Sequence, residues 1–173
     1  IQDLRGGTDA AEAALNGRAI DVLINLASST SRLRDDEISV PDLEQHAAVD
    51  LINPLRLLRH VVALNASHPL HIVFVSSVLT LVKSPNRAIY TSFKILQEEY
   101  LRRLKAAHAG VELTIVRISK LIPADRDSRD TVKLAKVILA AYKEKKQTVF
   151  FGASGLVLTA LFYVQPIAFR AIM

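Results

Sequence analysis

The sequence contains no cysteine. That absence excludes a disulfide framework, a thiolate metal site and a cysteine nucleophile, and makes a reducing, cytoplasmic setting the natural expectation. The opening "IQDLRGG" has neither the basic start nor the apolar centre of a signal peptide, and a chain that starts on Ile1 reads as one that begins inside something longer. No apolar run reaches the roughly 20 residues a spanning helix needs. The nearly apolar tail from Val149 onward is broken by Gly152, Gly155 and Pro166. A strand and an apolar helix over 148–173, buried or set against a second subunit, are the first expectation for it; peripheral membrane contact through an interfacial helix is the second.

A net charge of +5 invites a nucleic-acid reading, but the bases are scattered and the densest group is "KEKK" at 143–146. With no aromatics interleaved among them, no nucleic-acid partner is expected. The histidines, His46, His60, His68, His71 and His108, have neither metal-ligand spacing nor an acid at a fixed offset. Each reads as a surface or helix-flank residue, and no metal is expected. Internal repeats and low-complexity tracts are also missing.

What the chain does have is alternation along 173 residues, a length that fits one domain with a real core. Asp9 with Glu12 makes a capping pair for a short alanine-rich helix ending near Gly17. "IDVLINLA" reads as a strand buried on both faces, and a long amphipathic stretch then runs from Asp42 through Pro54, a kink or packing point. Strands "HIVFVS", "ELTIVRIS" and "TVFF" follow, separated by helices over 86–110 and 131–146. Such an order predicts an α/β fold, a doubly wound parallel sheet with helices on both faces. Its ligand should lie beyond the carboxyl ends of the strands, where the loops after Asn25, Ser76 and Ile118 converge.

One of those loops carries chemistry. Ser76 and Ser77 close a strand, Tyr90 follows Ser77 by thirteen positions, and Lys94 lies four further on. A free phenol has a pKa of about 10, too high for easy proton exchange at neutral pH. An ammonium one helical turn away lowers it and so tunes tyrosine as a general acid or base. A serine hydroxyl at the strand end could hold a carbonyl oxygen beside the phenol. A tyrosine and a lysine four apart on a helix are common and usually mean a half-buried ring beside a solvated ammonium. The serine at its offset is what favours proton transfer at a carbonyl/alcohol pair.

The block "VFVSSVLTLVKSPNRAIYTSFK" closely resembles the Ser, Tyr-x-x-x-Lys region of the short-chain dehydrogenases/reductases, and "IDVLINLAS" resembles the strand leading to their Asn-Asn-Ala-Gly motif. The resemblance implies a Rossmann-like fold and an oxidoreductase using NADP(H) or NAD(H) on a small carbonyl/alcohol substrate. It implies Tyr90 as acid/base, Lys94 lowering its pKa and bonding the nicotinamide ribose, and Ser77 orienting the substrate. Asn25 and Ala27 would lie along the cofactor, Asp3 at the adenine, and Leu121 at the carboxamide. A homo-oligomer, formed as a dimer through the long helices, is implied as well. Leu79, Leu81 and Val82 hint at an apolar substrate, and "DRDSRD" at 125–130 reads either as a solvated loop or as a substrate lid.

Four departures from the family pattern stand out. No Gly-x-x-x-Gly-x-Gly occurs, so the first βαβ unit, of roughly 30 or more residues, is expected to precede Ile1. Asn25-Leu26-Ala27-Ser28 replaces the Asn-Asn-Ala-Gly motif. Asp50 stands where the family has an asparagine that links the lysine to water, and its charge would partly offset the lysine's effect on Tyr90. Ile118-Ser119 replaces a Pro-Gly. These changes keep a second function open, a dinucleotide-binding sensor or scaffold of low or no turnover.

Overall fold

Alternating apolar segments of strand and helix length become alternating elements. The computed structural model describes residues 8–28, 34–81, 86–119 and 129–152. They form α1 (Asp9–Leu15), β1 (Val22–Asn25), α2 (Val40–Ala47), α3 (Asn53–Leu64), β2 (Leu70–Ser77), α4 (Ala88–Ala107), β3 (Val111–Ile118), α5 (Arg129–Lys143) and β4 (Thr148–Phe151). The strands make one parallel sheet in the order β1-β2-β3-β4, and each connection contains the helix that a parallel crossover requires. Register aligns Asn25 with Phe74 and Ser77 with Ile118 at the carboxyl ends.

β2 is buried along its whole length because both of its faces are covered. Successive side chains point to opposite faces. Ile72 and Phe74 meet Leu58 and Val61 of α3 and Leu101 of α4. Val73 and Val75 meet Leu134 and Ile138 of α5 on the other side. The α/β fold with helices on both faces is thus the one expected.

Three local expectations change. β1 is shorter than "IDVLINLA" and is not buried on both faces, since Ile24 is 42% exposed. Among the described residues β1 has a neighbouring strand on one side only, and α5 packs on β2, β3 and β4. At α1 the partner of Glu12 is Thr8 rather than Asp9, with the Thr8 hydroxyl donating to Glu12 Oε1 at 2.5 Å. The long amphipathic stretch divides in two. Ser39 starts α2 through a reciprocal capping box with Asp42, and a π turn over Ala48–Ile52 separates it from α3. In it the Asn53 N–H reaches the Ala48 carbonyl five residues back, and Pro54, which has no N–H to offer the Asp50 carbonyl, follows directly.

Asp3, Leu121, Val82, the 125–128 part of "DRDSRD" and the C-terminal apolar segment lie outside the described residues. Among those described, no helix is long and apolar enough to cross a membrane.

Two histidines expected at the surface are buried, His46 and His71. His71 Nε2 lies 2.9 Å from Thr114 Oγ1, whose single proton goes to the Lys146 carbonyl at 2.6 Å. Nε2 must therefore carry a proton and donate. Burial holds the imidazole below its ordinary pKa, assisted by Lys145 and Lys105 and opposed by Glu112. An unfolded chain takes up this proton first, so stability falls as pH drops below about 6.5 toward the lower folded value. The denaturant midpoint should decline over that range in the wild type and decline less in His71→Gln; equal slopes would show that His71 does not carry the effect.

Candidate active site

The site is assembled from two strand ends and the start of one helix. Asn25 Oδ1, at the end of β1, accepts the Ala27 N–H at 2.9 Å and folds residues 25–28 into a compact turn. Leaving β2, the Leu79 N–H donates to Ser77 Oγ at 3.2 Å and the Thr80 hydroxyl to the Ser77 carbonyl at 2.8 Å. At the head of α4, the Asp35 carboxylate accepts the Ala88 N–H at 2.5 Å and the Ile89 N–H at 3.3 Å. A carboxylate is favoured at a helix start by the free N–H groups and the helix dipole. Tyr90 then falls in the first turn of α4 and Lys94 in the next.

Tyr90 sits within reach of the Ser28 and Ser77 side chains, whose hydroxyls act on its phenol. Burial raises its pKa above the ordinary tyrosine value and the Asp50 charge adds to this, while the Ser28 and Ser77 hydroxyls and the Arg87 charge pull it down. Lys94 is only 1% exposed. Its ammonium donates to the Ala27 carbonyl at 3.0 Å and lies 5.2 Å from the Phe74 ring centre and 5.9 Å from that of Tyr90. Burial brings the Lys94 pKa down to about 8, against the upward pull of Asp50 and Glu98. The expected lowering of the phenol by Lys94 is therefore not what the geometry provides. The ammonium bonds a backbone carbonyl and faces the ring, so serine hydroxyls take that role.

Asp50 lies on the π turn, fully buried, with Oδ2 3.3 Å from His46 Nδ1. Its effect on the phenol has the expected sign. The structure thus brings Ser77, Tyr90, Lys94, Asn25 and Ala27 to one place, with Asp50 acting on it through charge.

Sequence reading missed two contributors. Ser28 was given no role at the phenol, yet its side chain acts on it. Behind the site, Arg117 of β3 and Glu98 of α4 form a buried ion pair. A signal for it existed. Arginine inside "TIVRI", a strand buried on both faces, needs an acid, and Glu98 follows Lys94 by one turn on the same buried face.

Lys94 makes one hydrogen bond to a described residue, which leaves its other two N–H donors available for ribose hydroxyls. The donor set therefore fits a nicotinamide nucleotide. Among the described residues no group of acids and histidines could hold a metal ion.

The family model for short chain dehydrogenase matches residues 3–136. No curated protein matches the chain. Among solved structures, it is similar to a short chain dehydrogenase from Burkholderia cenocepacia J2315 in complex with NADP, at 21% identity and a TM-score of 0.76, over 98% of this chain and 75% of that one. The bulky-bulky ketone specific alcohol dehydrogenase from Comamonas testosteroni matches at 19% identity and a TM-score of 0.75, over 98% and 72%. A 4-hydroxyisoleucine dehydrogenase complexed with NADH and succinate matches at 18% identity and a TM-score of 0.67, over 87% and 78%. At these identities the likeness is one of fold.

Proposed function

The chain belongs to the short-chain dehydrogenase family, and we propose that it is an oxidoreductase interconverting a carbonyl and an alcohol on an apolar small molecule with NADP(H) or NAD(H). The observation that carries this reading is Tyr90 with the Ser77 and Ser28 side chains acting on its phenol and buried Lys94 one turn away. Solved relatives hold NADP and NADH, and one acts on bulky ketones.

When bound, the nicotinamide supplies or accepts the hydride. Lys94, placed by the Ala27 carbonyl, holds the ribose through its remaining donors. Asn25 shapes the turn that carries Ala27 along the cofactor. By the family resemblance alone, Asp3 would meet the adenine and Leu121 the carboxamide. Ser77 holds the substrate oxygen, and Tyr90 gives it a proton in reduction or takes one in oxidation. A phenol kept protonated by burial suits the reducing direction at neutral pH. Leu79 and Leu81, just beyond Ser77, offer apolar contact, and exposed Ile52, Ile95 and Leu96 supply a face for a second copy.

Full-length protein should oxidise NADPH or NADH, followed by absorbance, with at least one bulky apolar ketone in a panel. Cofactor binding without turnover would favour the sensor or scaffold reading, which the upward push of Asp50 on the phenol supports. Absence of both cofactor binding and turnover would refute the oxidoreductase and the sensor readings alike.

A further inference from the structure

Glu98 lies one helical turn beyond Lys94 and is 3% exposed, while Arg117 on β3 is 1% exposed. Two buried charges are tolerable only if their remaining lone pairs and protons are also satisfied. Here they are. Glu98 Oε1 accepts the Ser76 hydroxyl at 2.6 Å and Arg117 Nε at 3.1 Å. Glu98 Oε2 accepts a second Arg117 nitrogen and Arg102 Nη2, the latter at 2.8 Å. The carboxylate thus ties α4, the helix of Tyr90 and Lys94, to the ends of β2 and β3.

Thr80 extends the tie. Its Oγ1 receives Arg117 Nε–H at 3.1 Å and lies 2.8 Å from the Ser77 carbonyl and 3.2 Å from Glu98 Oε1. A hydroxyl has one proton to give. Glu98 Oε1 is already served by Ser76 and Arg117, so the shorter contact, to the Ser77 carbonyl, takes it. The backbone of Ser77 is thereby held, while its side chain acts on the Tyr90 phenol.

We propose that Thr80, Glu98 and Arg117 form a positioning brace that sets the Ser77 hydroxyl against the Tyr90 phenol, an inference that rests on the oxidoreductase reading. All three are positioning residues, and none need touch substrate or cofactor. Proton transfer tolerates little misplacement, and a shift of about 1 Å can cost about a hundredfold in rate. The brace accordingly acts on turnover more than on binding.

Thr80→Val keeps the shape of the side chain and removes only the hydroxyl; Thr80→Ser restores it. In full-length protein Thr80→Val should lower kcat about tenfold with KM within about twofold, and Thr80→Ser should recover it. A second arm needs no turnover: carbon-13 NMR with tyrosine labelled at Cζ, the Tyr90 signal assigned by its loss in Tyr90→Phe. That signal should move in Thr80→Val and return in Thr80→Ser, while the signals of the other tyrosines stay. Wild-type turnover with Thr80→Val unchanged in both arms overturns the brace alone. Absence of wild-type turnover refutes the oxidoreductase reading, and the NMR arm then still decides the brace: a shifted, serine-rescued signal supports it and an unshifted one overturns it.

Discussion

Tyr90→Phe should reduce kcat/KM for ketone reduction by about 10²–10⁴-fold while nicotinamide binding survives. The substitution removes one oxygen and leaves the half-buried ring, so the face beneath the Lys94 ammonium is retained. What is lost is the hydroxyl on which the Ser77 and Ser28 side chains act. Ser77 can still accept the Leu79 N–H, so the strand end keeps its local structure. Steady-state cofactor absorbance gives the rate, and fluorescence titration of the reduced cofactor checks that binding persists. Equal rates in variant and wild type would mean that another group supplies the proton.

The largest loss of stability is expected from Arg117→Met. The guanidinium is buried in the sheet and paired with Glu98, so its removal leaves a buried carboxylate with Arg102, whose side chain is 47% exposed, as its remaining cation. Breaking one side of a buried pair costs about 3–5 kcal/mol, because the surviving charge stays desolvated. For a domain of this size that corresponds to a fall in melting temperature of roughly 10 °C. Replacing both partners, Glu98→Leu with Arg117→Met, removes the stranded charge and should recover much of the loss. A thermal melt of the single variant within about a degree of wild type would contradict this account.

The order of elements was legible because its signals are local. "HIVFVS" and "ELTIVRIS" are apolar over strand length, and the helix around Tyr90 runs without glycine or proline until Gly110. The Ser77, Tyr90, Lys94 trio was legible for the same reason, since strand end and helix start follow one another in the chain. Contacts between distant residues were not. Glu98 and Arg102, four apart, read as an ordinary helix-surface pair. Arg117 in an apolar strand signals the need for an acid, and the packing of α4 on β3 shows which acid answers it, Glu98. Exposure of Ile24 was illegible too, because an apolar run states what a strand could bury but not which neighbours it has. His46 and His71 look like flanking residues until the elements around them are in place.

The extra residue at Ala48–Ile52 has a consequence for how this region can vary in length. Each residue of a helix turns the chain by about 100°, so a one-residue deletion there would rotate everything after it by that angle. Leu58, Val61 and Val62, which now press on the sheet, would swing toward solvent, and Asp50 would lose its inward aim. The phase of α3 is thus written into that turn. Insertions or deletions within it should be far less tolerated than substitutions at exposed Ile52.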